Sequence, residues 1–302
     1  MIRCILLCIL LAVPVIARPF TPGSLPAKTK WFIHADLEEF KKTEMGRFAL
    51  KQMEHFSKDL RPLELMLGLD LRQDLHAVTL FGSGLKEAEV VVMLHGKFDR
   101  KQVTKLAETA KEHRAIQFRS QVIHGWEDKK GVHYGCLVKE HAILFSDGLQ
   151  SLRGAINTLN NESAGLKEKA IYKKSTAGKR PFFLIGLIDF EALDDLNANA
   201  SIIKKMKAVC ITVGQFEKNL QGRLLIQPRD EKTGTQIHQI IKGMIALVEF
   251  ASDEDDPELS DLNEMLKNLK VERMHPFIAM DLKIPAKAIV NSLQMKFELT
   301  NK

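Results

Sequence analysis

The sequence predicts an α+β fold built of two tandem related halves, each an antiparallel sheet with helices on one face, and three observations carry that prediction. Residues 77–110 read as an apolar strand, a polar turn, a second apolar strand, Asp99, and a helix whose apolar residues recur three and four apart; residues 208–244 repeat the order with Asp230 in the place of Asp99. An apolar strand closed by an aspartate precedes each copy, 31–35 before Asp36 and 181–188 before Asp189. Each half therefore runs β, α, β, β, α, β with additions, a string for which the split βαβ, or ferredoxin-like, arrangement is the predicted topology.

In chain order, residues 1–17 read as a secretory signal peptide: Arg3 supplies the positive end, 4–11 are unbroken apolar, and small or β-branched residues stand at 15–17 before a cut after Ala17. Pro14 interrupts this run, which is shorter than the roughly 20 apolar residues of a spanning helix. Residues 18–30, with Pro19, Pro22 and Pro26, form an extended lead-in. The first half, 31–160, opens with the strand 31–35. Asp36 and Glu39 then have capping-box spacing ahead of a helix that carries Phe40, Phe48, Met53 and Phe56.

The first hairpin spans 75–84 and 89–97, and three further strands are expected at 116–127, 132–138 and 142–146, before a helix through Leu152, Ile156 and Leu159. Residues 161–180 are a basic linker. The second half, 181–302, continues from its hairpin into a helix through Ile237, Ile241 and Met244. After the acidic run 253–258, Pro257 opens another helix containing Leu259, Leu262, Met265 and Leu269. A strand at 277–282 precedes a last helix with Ile289, Leu293 and Phe297 facing inward.

Composition narrows the function. With 45% hydrophobic and 27% charged residues the chain buries an ordinary core. The formal charge of +6 falls to +5 once Arg3 is removed, which allows weak attraction to an anionic membrane surface. Nucleic acid is not an expected partner, because aromatic residues do not interleave with the cations. Removing the leader takes Cys4 and Cys8 and leaves Cys136 and Cys210, one in each half and each in an apolar strand. They are expected to be free and buried, so packing and not a disulfide framework stabilises the chain.

No nucleophile elbow, phosphate-binding glycine loop or His-Glu-x-x-His motif occurs. Gly82-Ser83-Gly84 belongs to a hairpin, where turn conformation explains two glycines around a serine. The acidic run 253–258 lacks the glycine and ligand spacing of a calcium loop and suits a helix N-terminus. Asn161 and Asn199 each head a glycosylation acceptor triplet. The best chemical candidates are His124 and His133. A turn at 128–131 sets Trp126 opposite His133, and alternation puts His124 on the same face, so two imidazoles approach diagonally as metal ligands, although His141 falls on the other face.

The reading that best accommodates these features is an exported, secreted or periplasmic, non-catalytic binding or envelope-associated protein. It acts through a surface or cleft between the two halves on a protein or small-molecule partner, as a monomer or pseudo-dimer and without a cofactor. A metal-assisted hydrolase using the histidine-bearing sheet and a macromolecular inhibitor are the alternatives.

Overall fold

Residues 20–53, 61, 64–65, 68–139, 141–177, 181–193, 203–251 and 266–300 are described by a computed structural model. Apolar alternation along β1 (Trp31–Asp36) sets the plan: Phe32 and His34 are buried on one face of the strand, while Ile33 points to the other and is 45% exposed. β1 pairs antiparallel on one side with β2 (Leu75–Gly82) and on the other with β8 (Phe182–Asp189). Through β1 and β8 the two halves share a single twelve-stranded sheet, ordered β11-β12-β10-β9-β8-β1-β2-β3-β7-β6-β5-β4.

The remaining strands of the first half are β3 (Val90–Gly96), β4 (Arg114–Phe118), β5 (Gln121–Asp128), β6 (Gly131–Val138) and β7 (Ala142–Ser146). Those of the second are β9 (Met206–Phe216), β10 (Asn219–Pro228), β11 (Leu269–Met274) and β12 (Phe277–Pro285). Read outward from the centre, β1-β2-β3-β7-β6 on one side answers β8-β9-β10-β12-β11 on the other, so the two hairpins occupy corresponding places.

The α+β class is as the sequence predicts, but the strand order is not split βαβ. That arrangement inserts another strand between the two that a helix connects, whereas the helical segment after β1 returns the chain to β2, its immediate neighbour, and every pairing among the described strands is antiparallel. Nor do the helices keep to one face. Cys136, Val138, Ala142 and Leu144 pack in a cluster with Leu152 and Ile156 of α4 (Leu149–Leu159) and Ile171 and Tyr172 of α5 (Ala170–Ser175). Their neighbours Leu137 and Ile143, on the opposite face, pack with Phe98 and with Val103 of α3 (Arg100–Glu108). Strands buried on both sides need helices on both sides. In the second half α6 (Glu231–Ala251) covers the same face as α3, through Ile237 and Ile241 against Val209, Leu224 and Ile278.

Several boundaries move for local reasons. The helix predicted after Asp36 is two helices, α1 (Leu37–Lys42) and α2 (Glu44–Met53). Asp36 caps the first, accepting from Glu39 N at 2.9 Å. Thr43 ends it and restarts the chain: its hydroxyl donates to Phe40 O and accepts from Gly46 N. Phe56 lies outside the described residues.

The strand expected at 116–127 turns at Arg119, where φ is 55°, and becomes β4 and β5. The helix predicted to run from Pro257 to Leu269 falls mostly outside the described residues, and Leu269 instead begins β11. Residues 161–180 hold a packed helix, α5, with Leu166, Ile171 and Tyr172 buried. From residue 20 the lead-in is a strap on the core: Leu25 is fully buried, and Ala27 N donates to Ala164 O. The last helix, α7 (Ala286–Thr300), leaves Leu293 exposed.

Candidate functional site

At the junction of the halves the face shared with α3 and α6 carries an apolar, solvent-exposed row next to α1. Ile33 pairs across with Leu80 and with Gly186, and Gly186 pairs with Ile211, so these residues form one row facing the same way. Leu80 is 36% and Ile211 39% exposed. Gly186 is what lets the row close. A Cβ there would stand 3.0 Å from Ile211 Cγ2 and 3.7 Å from Ile33 Cγ1, so the two isoleucines approach each other over the missing side chain. Val78, Leu184 and Val213 extend the floor along β2, β8 and β9.

α3 reaches as far as Leu94 on β3 and α6 as far as Val209 on β9. Between them α1 packs on β1, β2 and β8, with Phe40 against Phe183 at 5.2 Å, and Glu44 N at the start of α2 donates to Gln215 on β9 at 2.9 Å, so the open part of the face is the row Leu80, Ile33 and Ile211 beside α1. At one edge of it a surface cavity of about 500 Å³ is lined by Lys205, Gln236, Gln239 and Ile240. Ile240, Met244 and Leu247 repeat with helical spacing along α6, and all three are exposed.

The opposite face carries a polar cleft of about 380 Å³ over β10 and β12, with Arg223, Lys270 and Asp281 on its floor. Arg223 donates bidentately to Asp281, from Nε to Oδ1 at 2.6 Å and from an η nitrogen to Oδ2 at 3.0 Å, and this carboxylate raises the Arg223 pKa. Lys270 pairs with Glu272 at 2.5 Å. The charges of this cleft are largely satisfied from within the protein. Nearer the junction on that face His34 is 5% exposed, its Nδ1 2.8 Å from Thr79 Oγ1, and its ring is stacked on Phe20 with centroids 4.2 Å apart. Burial, with His95 nearby, lowers its pKa to about 4.

Trp126 does stand opposite His133, as the turn at 128–131 requires, with ring centroids 5.8 Å apart. His124 and His133, however, take separate partners. His124 Nδ1 lies 3.0 Å from Nε2 of His113, a stacked neighbour just before β4 that the sequence reading did not single out. His133 sits between two carboxylates, Nδ1 2.6 Å from Asp147 Oδ1 and Nε2 3.0 Å from Asp128 Oδ1. Those hydrogen bonds, Asp128 first and Asp147 second, raise the His133 pKa, while burial lowers that of His124.

Among the described residues no group of three or more His, Cys, Asp or Glu side chains is placed to hold a metal ion. The carboxylate pair makes His133 a good imidazolium and a poor metal ligand, since a ligand imidazole must be neutral. Cys136 and Cys210 are free and buried, and burial pushes their thiols up to about 12 and about 11. They stand on β6 and β9, six strand spacings or about 29 Å apart, well beyond the reach of a disulfide.

No protein-family model matches this sequence, and no curated protein matches it. Among solved structures, crystal form III of TP0453 superposes with a TM-score of 0.49 at 10% identity, covering 91% of this chain and 98% of that one. Crystal form I gives 0.48 at 10% identity over 91% and 97%, and crystal form IV gives 0.46 at 8% identity over 89% and 96%. No described helix is long and apolar enough to cross a membrane.

Proposed function

We propose that this chain is an exported, envelope-associated, non-catalytic binding module, made of two duplicated halves and acting through the sheet face at their junction. The observation that carries the reading is the row Leu80, Ile33 and Ile211, apolar and solvent-facing at the centre of a sheet whose flanks on that face are covered by α3 and α6. An uncovered apolar area of this kind, lying where two halves meet, marks an interaction site. The floor presents aliphatic side chains with no acid, base or nucleophile, so it supports binding and not chemistry.

Duplication is supported by the matched strand orders and by Asp99 and Asp230, which cap α3 and α6 in the same way, accepting three residues on from Gln102 N at 3.2 Å and from Thr233 N at 2.7 Å. Export is supported by the leader pattern at 1–17, whose removal spares the strap beginning at Phe20. The test is Nile red fluorescence, an uncharged reporter of apolar surface, on the folded chain and on an Ile33→Lys/Ile211→Lys variant with unchanged circular dichroism. The reading expects the native signal to be lost in the variant; an equal signal in both would contradict it.

A further inference from the structure

We propose that the junction face binds a single-chain anionic amphiphile, a long-chain carboxylate, with its head group at Lys205 and its hydrocarbon chain laid from Ile240 onto the floor at Ile211, Ile33 and Leu80. The assignment rests on the junction face being the binding site and adds the identity of its occupant. The floor offers no hydrogen-bond donor or acceptor to a ligand. Its side chains are aliphatic, and the backbones of β1, β8 and β9 are paired on both sides. An added peptide strand therefore finds no ladder to join, and a polar ligand would lose its hydration without replacement.

Charge selects the head group. Lys205 lines the 500 Å³ cavity beside Ile240, Lys204 adjoins it, and Lys207 stands at the bulge near the start of β9. The counter-charge is sparse: Glu191 approaches Lys207 only to 3.8 Å. Shape excludes the larger apolar partners. α6 packs onto β9, β10 and β12 at the border of the floor and stands a helix diameter, about 10 Å, above it. A planar bilayer surface would rest on the exposed end of α6, at Leu247 and Phe250, before reaching Ile33. A second copy would bring its own α6 against this one before two floors closed to the roughly 10 Å of packed sheets. A single hydrocarbon chain fits beneath both limits.

The experiment titrates full-length mature protein with 11-(dansylamino)undecanoic acid, followed by dansyl emission, with palmitate and palmitate methyl ester as competitors. The proposal expects saturable binding displaced by palmitate, with the ester competing at least fivefold more weakly. Ile211→Asp should weaken binding tenfold or more and Lys205→Glu threefold or more, both with unchanged circular dichroism. No saturable binding, or equal binding by Ile211→Asp, overturns it. Sedimentation with phosphatidylglycerol vesicles in the absence of dansyl-fatty-acid binding would move the occupant to the membrane and overturn it as well, as would a concentration-dependent dimer abolished by Ile33→Lys. If Nile red reports the face but no carboxylate amphiphile binds, the occupant is wrong and the site stands; if neither binds, both fall.

Discussion

Acidification tests the buried junction histidine, because His34 is held neutral inside the core. Its ring is stacked on Phe20, it shares a hydrogen bond with Thr79, and the charge of His95 adds to the effect of burial. The folded pKa is about 4 against 6.5 for an unfolded histidine. The unfolded chain thus takes up the proton first. The stability that His34 supplies is full above 6.5 and is lost as the pH falls toward 4. At about 1.4 kcal/mol per pH unit the loss approaches 3 kcal/mol, a large share of the roughly 5–15 kcal/mol that hold a domain folded.

The measurement is urea unfolding at several pH values from 7 to 3.5 for the native chain and His34→Gln, which keeps a polar atom for Thr79 but does not titrate. At pH 7 the variant should be less stable by about 1–2 kcal/mol, for the lost packing on Phe20. By pH 4 that deficit should vanish or reverse, while carboxylate titration elsewhere affects both proteins alike. A constant difference across the range would refute the buried, neutral state of His34.

Two further outcomes follow from the alternation and from the ion pairs. Phe32→Ala, which empties a fully buried position, should cost about 3–5 kcal/mol in urea midpoint terms, whereas Ile33→Ala on the open face should cost less than about 1 kcal/mol; equal costs would mean that the junction face is covered. His133, between Asp128 and Asp147, should titrate above 6.5 by NMR, and Asp147→Asn should pull that value down. Because the folded value is the raised one, its contribution to stability is complete below 6.5 and fades as the pH rises through the folded value. A His133 that titrates at or below 6.5 would contradict the paired geometry.

The class of the fold was legible because local patterns report element types: β1, the hairpin β2–β3 and the helix capped by Asp99 all stand where alternation and capping place them. Strand neighbours were not legible. The same β, α, β string suits a parallel crossover or an antiparallel return, and only long-range packing selects the second. The turn at Arg119 carries no glycine, proline or asparagine to announce it, and β11 interleaves Lys270, Glu272 and Arg273 in an edge strand that reads as surface. Alternation fixes a face but not a partner: His113 enters from a connecting segment and meets His124, and Asp147 arrives from the end of β7 and meets His133. The apolar junction was invisible for a related reason. Ile33 and Ile211 look like ordinary core residues until the sheet order sets them side by side between two helices that stop short of covering them.

Thiol accessibility at adjacent positions of β9 measures the open junction face most directly, because Cys136 and Cys210, the cysteines among the described residues, give a silent background. Cys210 is fully buried with its thiol pKa near 11, while Ile211, the next residue, points to the opposite face. The folded native chain should take up no iodoacetamide at neutral pH, and both cysteines should react once it is unfolded in urea. Folded Ile211→Cys should take up one equivalent at the rate of an exposed thiol. An Ile211→Cys thiol as inert as Cys210 would show that the face at the junction is closed, and would remove the surface on which the proposed binding function rests.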